Sequence, residues 1–97
     1  MFLTKPMMAT LKQFRSSNVY DDEETESINI KVVPYNVDMA INFGIVTIPE
    51  ATGYFITKYE NAKEGDQIIF NGHEYTIIKV ADMWQFNKMV NMVLYVK

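Results

Sequence analysis

The chain contains no cysteine. That excludes a disulfide framework, a thiolate nucleophile and every cysteine-based zinc site, and it removes the usual reason to place so small a domain outside the cell. Histidine is almost missing as well: His73 stands alone, and a lone imidazole without a second His or Cys makes a poor metal site. The only serines, Ser16, Ser17 and Ser27, lie in the first third, and none falls in the strained strand-to-helix elbow of a hydrolase nucleophile. Ser27, His73 and Asp66 can be written down as a triad, but nothing in their spacing supports one. Glycines at 44, 53, 65 and 72 are too dispersed to cradle a phosphate. No window approaches the roughly 18 apolar residues of a membrane span, and Lys5 and Pro6 interrupt the start before an export signal forms. The chain reads as cytoplasmic at synthesis, with no cofactor, no metal and no membrane contact expected.

What is present is a single-domain length of 97 residues, 48% hydrophobic and 22% charged, the balance of a folded chain. Aromatics reach 13%, and Val, Ile, Tyr and Phe recur in short runs suited to a pleated sheet. A net charge of −3 hides an uneven distribution. Lys5, Lys12 and Arg15 give positions 1–19 a local +3, while Asp21, Asp22, Glu23, Glu24 and Glu26 give positions 20–27 a local −5. The bases after position 27 are scattered singly, unlike the gathered Lys and Arg of a protein that grips phosphates. The acidic run lacks the alternating ligands and central glycine of a calcium loop. One tryptophan, Trp84, is too little to argue a carbohydrate cleft with paired acids.

Along the chain, Met7, Leu11 and Phe14 fall at i, i+4 and i+7, which predicts one or two helical turns or else an extended N-terminal arm over 1–19. The acidic run then reads as a solvated connector over 20–27. From residue 28 the period becomes two. Strands are expected at Ile28–Val33, Ile45–Ile48, Tyr54–Tyr59, Gln67–Asn71, Glu74–Val80 and Met89–Val96. Asn71-Gly72 is the strongest hairpin signal, because both residues tolerate positive φ in a type I′ turn, and Gly65-Asp66 forms a tight turn ahead of it. Five or six short strands without a long helix indicate a mainly β fold, a small antiparallel β-barrel spanning 28–97. Aromatics such as Tyr54, Phe55 and Tyr75 are expected in its core rather than as a base-stacking platform. The segment 36–53 is unusually apolar for a loop. Its Met39, Ile41, Phe43, Ile45 and Ile48 either pack back on the barrel or project toward a partner, and projection is the favoured expectation. Seven methionines suit adaptable packing, subunit contacts included.

Residues 53–80, and above all the succession Glu64-Gly65-Asp66, strand, Asn71-Gly72, then Tyr75-Thr-Ile-Ile-Lys-Val80, resemble the small head-closure proteins of tailed bacteriophages. These are the head–tail connector components called stoppers or head–tail joining proteins. The resemblance covers roughly residues 28–97. It implies a non-catalytic virion protein built as a small β-barrel that assembles into a homo-oligomeric ring of roughly six or twelve subunits. Such a ring joins the portal and adaptor to the tail and meets packaged DNA only indirectly. The segment between the first two barrel strands would then face the axial channel or a neighbouring subunit. The resemblance does not extend to the charge pattern of the N-terminal stretch. The alternative from another class is a small monomeric nucleic-acid- or ribosome-associated barrel.

Overall fold

Asn71 and Gly72 hold φ of +52° and +78°, the left-handed pair that a type I′ turn requires. They join strand β4 (Gln67–Phe70) to strand β5 (His73–Gln85), with Phe70 opposite His73 and Gln67 opposite Thr76. The expected hairpin is there, and its second strand runs on past Val80. The computed structural model describes residues 6–17, 22–85 and 88–97, with side chains at 6–14, 25–83 and 91–97. The remaining elements are β1 (Met7–Ser17), β2 (Asp22–Tyr35), the short helix α1 (Val37–Asn42), β3 (Gly53–Thr57) and β6 (Lys88–Val96). All pairings are antiparallel and close a barrel in the order β1-β2-β3-β6-β5-β4. This is the mainly β, six-stranded small barrel that the sequence implies.

Two expectations are corrected. The stretch 7–15 is neither a helix nor a free arm but part of β1, a wall of the barrel. Leu11 is buried and Phe14 exposed, so the apparent helical face is a coincidence of spacing. The acidic connector is also strand from Asp22 onward, while Asp21 lies outside the described residues. The physical reason is the pairing itself. β1 and β2 form one continuous ladder from Met7 opposite Val32 to Ser17 opposite Asp22, which lays the basic stretch antiparallel to the acidic one. Its register sets Arg15 opposite Glu24. The barrel therefore begins at Met7 and not at residue 28.

Alternation sorts the side chains into two apolar clusters on opposite faces of one wall. The interior is filled by Leu11, Val32, Phe55, Ile68, Ile77, Leu94 and Val96 among others. Phe55 meets Phe70 and Tyr75 edge-on, each with centroids 5.5 Å apart, a geometry worth about 0.5–1.5 kcal/mol per pair beyond area burial. On the outer face Tyr54, Ile56, Val93 and Tyr95 pack beneath Ala40, Ile45 and Ala51 of the β2–β3 connection. β3 and β6 are thus buried on both faces over Tyr54–Thr57 and Met92–Val96. The aromatics Tyr54 and Phe55 are core, as expected, and Tyr75 is half-buried.

Two outcomes test this packing. Gly72 has open space where a Cβ would stand, so Gly72→Val should cost only the conformational penalty of positive φ in a β-branched residue, about 1–2 kcal/mol by urea unfolding. The buried Tyr54 hydroxyl has no hydrogen-bond partner among the described residues, so Tyr54→Phe should leave stability unchanged or raise it by up to about 1–3 kcal/mol. A marked loss on Tyr54→Phe would contradict the packing described.

Candidate interaction surface

The β2–β3 connection owes its shape to two local signals at the ends of α1. Asn36 caps the start, its side-chain oxygen accepting the Met39 N–H at 2.8 Å. At the far end Gly44 takes φ of +78°. Gly44 N–H then donates to the Ile41 carbonyl at 3.0 Å and Ile45 N–H to the Ala40 carbonyl at 2.9 Å, which together make a Schellman motif. The apolar contact that accompanies this motif pairs Ala40 with Ile45, both buried in the outer cluster. After this cap the chain is irregular, so the strand expected at Ile45–Ile48 does not form.

This geometry divides the candidate interaction residues. Ile41 and Phe43 are exposed, at 57% and 49%, whereas Ile45 is buried at 8% and belongs to the core. Met39 and Ile48 are half-buried. The segment therefore does both things considered for it: it packs back through Ala40, Ile45 and Ala51 and presents Val37, Ile41, Phe43 and Val46 outward. Val46, at 72%, is the most exposed large apolar side chain among the described residues. Sequence reading missed it, whereas Val37 belongs to the apolar set that the sequence marks in 36–53. Reading Asn36 as a cap and Gly44 as a terminator would have placed Val46. Phe43 rests on Tyr35 at 5.0 Å between centroids, and the Tyr95 hydroxyl donates to the Val46 carbonyl, so the surface is held rather than loose. Burial, and then Tyr54 beside it, pushes the Tyr95 phenol above its ordinary value, so it keeps the proton that it donates. Met7 and Met8 at the start of β1 add further exposed apolar side chains, at the end of the barrel from which α1 also departs.

The opposite end is closed by the loop 58–66. Gly65 adopts φ of +92°, and the buried Asp66 carboxylate accepts the Lys63 N–H at 3.0 Å and the Gln13 amide at 3.3 Å. Gln13 also donates to the Asn61 carbonyl at 2.7 Å and accepts from the Tyr59 hydroxyl at 3.3 Å. Ala62 inserts into the interior beside them. The expected turn residues Gly65, Asp66, Asn71 and Gly72 thus all stand in turns, and Asp66 additionally anchors a polar plug. Its partners are backbone and amide groups, an arrangement that holds a loop in place.

His73 is exposed, beside the Asn71-Gly72 turn. Ser27 lies on β2 toward the plugged end, as Asp66 does, so the three residues of the formal triad are not brought together. Among the described residues no three His, Cys, Asp or Glu side chains converge as metal ligands, and no helix is long and apolar enough to cross a membrane.

Asp66→Ala should cost about 1–3 kcal/mol in denaturant unfolding, since it strands the Lys63 N–H and removes one of the two bonds that the Gln13 amide donates inside the plug. An unchanged midpoint would mean that the loop is not held by this carboxylate. No protein-family model, curated protein or solved structure matches the chain.

Proposed function

We propose that this chain is a non-catalytic structural subunit of the head–tail connector of a tailed bacteriophage. It forms a ring with copies of itself between the portal and adaptor on one side and the tail on the other, and so resides in the virion. The observation that carries this reading is the apolar surface of the β2–β3 connection: Val37, Ile41, Phe43 and Val46 face solvent on a segment whose backbone is pinned to the barrel. A held apolar surface is suited to burial against a neighbour, because fixing it in advance lowers the entropy cost of association. The resemblance over residues 28–97 supplies the identity of the neighbours, and its implied fold, a small β-barrel, agrees with the closed six-stranded architecture. The non-catalytic part of the reading is supported by the separation of His73, at the Asn71-Gly72 turn, from Ser27 and Asp66 at the plugged end, and by the structural engagement of Asp66 and Gln13.

The test pairs stability with assembly. Val46→Asp and Ile41→Asp change exposed side chains and should each alter the unfolding free energy by no more than about 0.5–1 kcal/mol. The same changes should abolish concentration-dependent self-association in sedimentation velocity and block ring formation by electron microscopy. A wild-type chain that stays monomeric at millimolar concentration, or variants that assemble normally, would overturn the ring. Tight binding of short oligonucleotides by that monomer would favour the nucleic-acid-associated alternative.

A further inference from the structure

The short strand β3 leaves an opening in the barrel wall. β2 and β6 both run beyond β3, which pairs with β2 only over Val32–Tyr35 and with β6 only over Met92–Val96. Beyond Thr57 the facing edges of β2 and β6 have no strand between them among the described residues. Two strand spacings separate strands flanking a missing one, roughly 9.6 Å, the room for a single extended chain.

Thr57 ends β3. Its hydroxyl donates to the Lys31 carbonyl at 2.9 Å and accepts the Tyr59 N–H at 3.1 Å, which turns the chain away into the loop 58–66. Because the Lys31 carbonyl points toward β3, and backbone groups alternate along a strand, the N–H and C=O of Asn29 and Ser27 point toward the same opening. A cavity of about 700 Å³ runs from this opening along the paired β2–β3 wall as far as Tyr35, lined by Asn29, Lys31, Thr57, Lys58, Tyr59 and Asn91, by further apolar side chains of β2 and β3, and by Pro6 ahead of β1. Lys31 and Lys58 are among its lining residues, and among the described residues no carboxylate-bearing one lines it.

We infer that this opening is a strand-addition site that takes an extended, carboxylate-bearing segment of a different polypeptide. Main-chain bonds to the open edge of β2 supply the affinity, and Lys31 and Lys58 select the charge. A second copy of this chain does not fit. Its own acidic residues of 22–26 lie on β2, which is already paired with β1, so they form a hairpin two strands wide facing a gap of one. The inference does not depend on the connector reading.

The probe is a capped six-residue peptide of alternating glutamate and valine, titrated into isotope-labelled protein. Amide exchange at Ser27 and Asn29 should slow at least tenfold on saturation. Ser27→Pro removes a donor from the open edge while leaving the β1 ladder intact, and should abolish binding. Lys31→Glu combined with Lys58→Glu, both exposed side chains, should weaken it at least tenfold without altering melting, and so tests the site even if the proline variant unfolds. Four outcomes would each overturn the proposal. These are no protection up to millimolar peptide, equal binding of a lysine–valine peptide, protection that appears with protein concentration alone, and displacement of the peptide by oligothymidine.

Discussion

The rest of the molecule hangs on the burial of β3 and β6 from both sides. A barrel of six strands needs its interior filled, and Phe55, Leu94 and Val96 do that from this wall. The same two strands carry Tyr54, Ile56, Val93 and Tyr95 on the outer face, where no further strand is available to cover them. Covering that face therefore falls to the connection between β2 and β3, and a short helix with an irregular tail is what remains once β2 has ended. The exposed apolar residues are a by-product of this duty. Turning Ala40 and Ile45 inward puts Ile41, Phe43 and Val46 outward, because adjacent residues on a helix and its cap cannot all face one way.

The two ends of the barrel are finished by different chemistry. One end is dry, with an aromatic trio around Phe55 and a two-residue turn at Asn71-Gly72. The other is polar, where the buried Gln13, Asp66 and Thr57 are engaged by loop backbone, by the Lys31 carbonyl of β2 and, for Gln13 and Asp66, by one another. Buried polar groups cost stability unless paired, so such a plug fixes one arrangement of the loop. β1–β2 and β5–β6 both extend past this end as two-stranded arms, because β3 and β4 stop short of them.

How much of this was legible follows from the kind of signal each element carries. The β4–β5 hairpin was plain, because Asn71-Gly72 has one strong use and strands of alternating pattern flank it. β6 was plain for a similar reason, with Met92, Leu94 and Val96 inward against Val93 and Tyr95 outward. β1 was misread because Met7, Leu11 and Phe14 satisfy a helical spacing, and only the partner strand decides between the two periods. The acidic run was misread because charge repulsion was weighed without the basic stretch that lies opposite it. The candidate surface was found by composition, but its division into inward and outward residues needed the cap at Asn36 and the terminator at Gly44. Thr57 gave no signal, since a threonine that ends a strand looks like one that continues it.

The closure of the ring between β1 and β4 rests on three register pairs, Thr10 with Ile69, Leu11 with Ile68 and Lys12 with Gln67. Each joins residues far apart in sequence, whereas β1–β2, β4–β5 and β5–β6 are neighbouring hairpins. Loop-closure entropy makes such a contact the slow one, formed after the hairpins are in place. A short, late seam is also where a closed sheet comes apart first, and native-state exchange at Thr10 and Ile69 running ahead of Tyr54 and Leu94 would locate it. The cylinder is then better regarded as a six-stranded ribbon, held shut along a clasp of three residues with Leu11 and Ile68 buried at its centre.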